Sequence, residues 1–132
     1  MQTKRLGWIL GIVVALSGAA LMSQSAKVSL AQDVQPILDH HCVKCHGAKK
    51  QKGKLDLSAA VAHQNLVGAI SSEVPSMVRV KPGDAELSYL WLKLEHRTTE
   101  GSGMPKGLFF ARRLDQKDLD TIKAWIEGGA NP

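Results

Sequence analysis

The chain has 132 residues, room for one domain and a short appendage. Aromatic residues make up only 5% of it, so its core is thin, and domains this small commonly lean on a metal, a disulfide or a cofactor. The net charge of +5 falls to +3 without Lys4 and Arg5, the only charges before Lys27, a balance too mild to imply nucleic-acid binding.

Lys4 and Arg5 precede an uncharged run from Leu6 to Ala26 whose apolar part ends at Met22. A basic start followed by such a run is the pattern of an export signal. Its apolar part is longer than a usual signal core and sits near the lower limit for a bilayer span. Residues 1–26 are therefore expected to be a signal peptide or an N-terminal hydrophobic helix that anchors the chain, and residues 27–132 a separate domain. Either form places that domain on the periplasmic side of the cytoplasmic membrane, with Lys4 and Arg5 left on the cytoplasmic side.

Ser29 followed by Gln32 has the spacing of a helix capping box. Leu30, Val34, Leu38 and His41 then recur at helical intervals, with Ile37 beside them. Pro36 should kink or restart this helix, which runs into Cys42. After a Lys/Gly loop, Ser58 is placed to cap a short helix through Leu66, with Gly68 as its stop. The stretch "SSEVPSMVRV" reads as irregular, with at most a short extended piece at Val78–Val80. Pro82-Gly83 makes a turn and Asp84 is a good N-cap; Leu87, Leu90, Trp91 and Leu94 line one face of the helix that follows. "RTTEGSGMPKG" is a Gly-rich loop. A last helix begins after Asp115, buries Leu119, Ile122, Trp125 and Ile126, and ends at Gly128-Gly129. The expected fold class is all-α, with two long loops.

The octapeptide "HHCVKCHG" at positions 40 to 47 holds both cysteines and three of the five histidines. Two thiols at i and i+3 cannot staple distant loops, which leaves a metal clip, a thiol–disulfide switch or a covalent haem. Zinc needs four well-placed ligands, and Cys42, Cys45, His46 and His40 or His41 crowd onto one turn. A thioredoxin-like switch expects a strand leading into a helix, and this motif ends a helix. Cys42-Val43-Lys44-Cys45-His46 is C-x-x-C-H, the attachment sequence of c-type haem. On one turn of backbone the two thiols reach the two porphyrin vinyl groups, and His46 points its imidazole at the iron.

An electron-transfer haem takes a sixth ligand. Met104 in "GSGMPKG" is the main candidate, because the flanking glycines let the chain approach the ring, Pro105 stiffens the loop, and Met/His pairs are used in cytochromes c. Met1 and Met22 lie in the leader, and Met77 lacks such a scaffold. His63 and His96 are rival ligands on helices, while His40 and His41 cannot easily reach the opposite face of the ring.

The segments "SLAQDVQPILDHHCVKCHG", "KLDLS", "VKPGDAELSYLWLKL", "GSGMPKG" and "LDQKDLDTIKAWIEGGA", in that order, resemble the planctomycete-type cytochrome c haem domain over about Ser29 to Ala130. The resemblance implies a small cytochrome c-like helical domain wrapped around one covalent haem c, whose first and last helices cross near it. It carries the family's haem-binding positions onto Cys42, Cys45, His46 and Met104.

The expected function is one-electron transport, with no enzymatic activity and no small-molecule substrate. Alternatives that keep the haem are a subunit of a larger respiratory or photosynthetic membrane complex and a gas sensor with a displaceable Met104. Lys44, Lys49, Lys50, Lys52 and Lys54 fall in a stretch without acids, either a solvated loop or a docking rim for a redox partner with an acidic surface. Trp91 and Trp125 are expected to pack against the haem or the core. Arg79 or Lys81 is a candidate partner for a haem propionate.

Overall fold

The computed structural model of the chain describes residues 27–107 and 112–132. Ser29 opens the domain as a cap: its hydroxyl accepts from the Gln32 amide at 3.2 Å. The Ser29 amide, however, donates to Asp33 Oδ2 at 2.7 Å and not to Gln32. A wide first turn, Leu30–Val34, explains the shift, because the amides of Val34 and Gln35 bond five residues back, to Ser29 and Leu30. It leads directly into α1 (Gln35–His41), with Pro36 in the first turn of that helix. There the missing N–H of proline leaves nothing unsatisfied.

The domain is not all-α. Helix accounts for 37% and strand for 11% of the described residues, and the segment expected as a Lys/Gly loop folds into an antiparallel pair. Strands β1 (His46–Gly47) and β2 (Lys50–Gln51) set His46 opposite Gln51 and Gly47 opposite Lys50. Single bridges between Val67 and Val80 and between Ile70 and Val78 add extended backbone where a short extended piece was expected. Strands of two residues are too short for the alternating pattern by which strands are read from sequence. The hydrophobic helix expected within residues 1–26 lies outside the described residues. Among the described ones, no helix is long and apolar enough to cross a membrane.

The middle helices are shorter than their patterns suggest. Helix α2 (Ala62–Leu66) starts late because the Ser58 hydroxyl is engaged elsewhere: it donates to Asp56 Oδ1 at 2.6 Å and accepts from the Ala48 amide at 3.2 Å. Helix α3 (Tyr89–Leu94) begins only after a turn in which Asp84 Oδ1 accepts from the Leu87 amide at 3.0 Å. Leu87, expected on the buried face, is consequently 51% exposed. Trp91 and Leu94 are buried as expected.

Helix α4 (Gln116–Glu127) follows its sequence signals. The Asp115 carboxylate accepts from the Asp118 amide at 3.0 Å, and Leu119, Ile122, Trp125 and Ile126 are buried. The two ends of the described domain are tied together here. Asn131 O accepts from the Leu30 amide at 3.0 Å and from the Trp125 indole at 2.7 Å, so the first turn packs on the last helix. Buried Gln35 reaches from α1 to Leu57 O at 2.9 Å and fixes the segment after the hairpin.

Trp125 is fully buried at this junction. Trp125→Ala should lower the unfolding free energy of the domain by about 3–5 kcal/mol, measured by denaturant titration. A loss below about 1 kcal/mol would show that the two ends of the domain are not cemented by this side chain.

Candidate functional site

A cavity of about 390 Å³ lies between the end of α1, the β1–β2 hairpin and α3, within the size class of cofactor pockets. Leu55, Leu57, Leu66, Leu90 and Leu94 supply its apolar wall, and Cys42, His46 and Met104 all face it. Lys52, Glu73, Arg79 and Lys93 bring charge to its lining.

The His46 side is built almost entirely from backbone bonds. Leu38 O accepts from the amides of Cys42 and Val43 at 2.8 and 3.0 Å, which carries the last turn of α1 into the motif. Cys42 O then accepts from the amides of Cys45 and His46 at 3.0 and 2.9 Å, so the five motif residues wrap into one tight turn. Gly47 is required to leave it: a Cβ there would sit 2.6 Å from Val43 O. The hairpin next returns Lys52, whose amide donates to Cys45 O at 3.1 Å.

Lys52 also closes the site from behind, since its carbonyl lies 2.7 Å from His46 Nδ1. A carbonyl only accepts, so Nδ1 carries the proton and Nε2 keeps its lone pair. Burial pulls the His46 pKa below its ordinary value; the Lys52 carbonyl bond opposes this, and the charges of Lys52, Arg79 and Lys93 assist it. The imidazole is therefore held neutral and in the tautomer a metal ligand needs.

The Cys42 thiol fits neither rival chemistry. Burial, reinforced by Cys45, pushes the Cys42 thiol up to about 12, whereas a redox-switch cysteine is activated by a lowered pKa. Among the described residues no three His, Cys, Asp or Glu side chains converge on a position for a metal ion, which counts against the zinc clip. Cys45 is half-buried on the motif turn and is not part of the cavity wall.

Met104 reaches the cavity from the Gly-rich loop. Its amide donates to Lys93 O at 2.9 Å, and its carbonyl lies 3.1 Å from His96 Nε2. The other candidates are elsewhere. His63 Nε2 lies 2.9 Å from Ala130 O, and neither His63 nor His96 lines the cavity. Met77 is half-buried away from it. His40 and His41 are exposed, with His41 3.4 Å from Asp118 Oδ2. Arg79 does line the cavity, donating to Asn65 O at 2.8 Å and Lys54 O at 3.1 Å; Lys81 instead pairs with Asp84. Trp91 and Trp125 belong to the core and not to the cavity wall.

Sequence reasoning missed one group at the site. Lys93 is buried on α3 with its ammonium paired to Glu73, and Tyr89 donates to the same carboxylate at 2.6 Å. The i, i+4 spacing of Tyr89 and Lys93 puts them on one helix face, but nothing in the sequence announces Glu73 as their partner.

These residues suit a covalently held porphyrin. An imidazole with a free nitrogen, a half-buried thiol and a thioether face one apolar cavity, and Arg79, Lys52 and Lys93 bring positive charge to its wall. The sequence model of the family described as Planctomycete cytochrome C matches residues 42–107, from the first cysteine to just past Met104. No curated protein and no solved structure gives a significant match.

The close approach at Gly47 yields a direct check. Gly47→Ala should force Val43 and the motif turn apart, costing about 1–3 kcal/mol of stability and lowering the yield of haem-loaded protein. Wild-type denaturation and loading would contradict the tight-turn geometry.

Proposed function

The chain belongs to the planctomycete cytochrome C family, and from that premise we propose that it is a monohaem electron carrier with His46 and Met104 as the two axial ligands. A c-type cytochrome that carries electrons on covalent haem c follows from the family itself. The thioether attachments are assigned to Cys42 and Cys45. The axial pair rests on one observation above all: His46 with its Nε2 free and Met104 line the same cavity.

Bound there, haem c supplies a one-electron Fe(III)/Fe(II) couple, and a thioether opposite imidazole sets its potential above that of two histidines. The protein accepts one electron from a reduced donor and passes one to an oxidised acceptor. His46 is held in register by Lys52 O, the leucines would give the ring an apolar seat, and His46 and Met104 together would hold the iron with no position left for a substrate. This favours a carrier over a gas sensor or an enzyme.

Lys44, Lys49, Lys50, Lys52 and Lys54 are all exposed on and beside the hairpin behind His46. That position supports a docking rim for a redox partner with an acidic surface. The leader pattern in residues 1–26 supports export to the periplasmic side of the membrane.

An absorption spectrum tests the haem assignment. The Soret band of protein made in a host competent in haem attachment should survive acid–acetone extraction and vanish when both cysteines are replaced by alanine. Extractable colour, or a colourless protein, would overturn it. For docking, electron-transfer rates with the partner should fall steeply as salt is raised through about 0.1 M; a flat salt dependence would refute steering by the lysines.

A further inference from the structure

Lys93 is a buried cation that the carrier function, as described, leaves without a task. Its side chain is 9% exposed, and its ammonium sits 5.1 Å from the centre of the Tyr89 ring. A buried ammonium is costly unless it is paired and fully hydrogen-bonded, and this one is both. It pairs with Glu73 and donates to Glu100 O at 3.2 Å and Ser102 O at 3.1 Å. The backbone carbonyl of the same residue accepts from the Met104 amide at 2.9 Å. One residue of α3 thus holds alternate positions 100, 102 and 104 of the loop.

That loop has little else to hold it. Glu100, Gly101 and Ser102 are exposed, so no apolar side chain anchors it before Met104. From Glu100 to Pro105, its other hydrogen bonds among the described residues are Tyr89 Oη to Glu100 O at 3.3 Å, His96 Nε2 to Met104 O and the Arg112 amide to Pro105 O at 2.9 Å. Gly101 adopts a φ of +67°, and the Glu73 carboxylate occupies the space a Cβ would need, so the loop is moulded around the ion pair.

We propose that Lys93 is the positioning residue for Met104: its ammonium clamps the loop carbonyls while its own carbonyl takes the Met104 amide, presetting the thioether toward the cavity. This rests on Met104 being the axial ligand. Glu73 neutralises the clamp, and the Tyr89 hydroxyl orients Glu73. With the clamp in place the loop is ordered before the ligand bond forms, so little entropy is lost on ligation. Without it, the loop opens and Met104 leaves more often.

The test uses haem-loaded protein with Lys93→Met, which keeps chain length and removes the charge. Covalent haem and the Soret band should persist. The weak near-infrared sulfur-to-iron band of the oxidised form should diminish, and carbon monoxide should bind the reduced form about tenfold faster or more, the least factor implied by losing the two charge-assisted bonds to the loop. Lys93→Arg should recover much of the band. Glu73→Gln, at a partly exposed position, should shift both readouts in the same direction by a smaller factor.

A Lys93→Met protein with the wild-type band and carbon monoxide rate overturns the proposal. If Lys93→Met does not fold, Glu73→Gln decides, and unchanged readouts there overturn it equally. A wild-type protein lacking the band, or Met104→Ala retaining it, instead removes the axial-ligand assignment on which the clamp depends.

Discussion

An imidazole at the end of a tight turn is useful as a ligand only if something fixes its ring and its proton, and here that is the carbonyl of Lys52. The 2.7 Å contact at His46 Nδ1 requires the chain to double back within six residues, which the β1–β2 pair accomplishes. The pair in turn requires Gly47, because a side chain there would strike Val43. A single hydrogen bond therefore links the tautomer of His46, the hairpin behind it and the glycine that follows it.

The two sides of the cavity are held by different means. On the His46 side, backbone bonds run without a break from Leu38 through Cys42 and Cys45 to Lys52, and the turn is anchored to α1, which packs through the first turn of the domain onto α4. On the Met104 side, the loop carries three glycines, and its ties come chiefly from α3. In the proposed ligation, with one ligand on a rigid turn and the other on a clamped loop, the bond more easily lost would be the thioether. On that proposal, control of the site would fall to Lys93 and its neighbours.

How much of this could be read in advance depended on whether a residue type was demanded. The C-x-x-C-H spacing was legible because attachment chemistry demands those side chains at those intervals. Helix α4 was legible because twelve residues give its apolar stripe time to repeat and Asp115 caps it. The hairpin was not, since the groups that matter are a backbone carbonyl and two-residue strands, which any sequence can supply; hence the all-α expectation failed at that point. Leu87 misled because its helix starts after the Asp84 turn. Lys93 was hidden for a different reason: a lysine beside Leu94 reads as solvated, and only the remote Glu73 and the carbonyls of a loop make its burial tolerable.

The central claim is that one iron is gripped by His46 on the hairpin side and by Met104 on the loop side. X-ray absorption at the iron edge of the haem-loaded protein reads that coordination shell directly. The account predicts nitrogen scatterers with a single sulfur, the sulfur being lost in Met104→Ala. A shell of nitrogen alone, or one completed by oxygen in the wild-type protein, would contradict it.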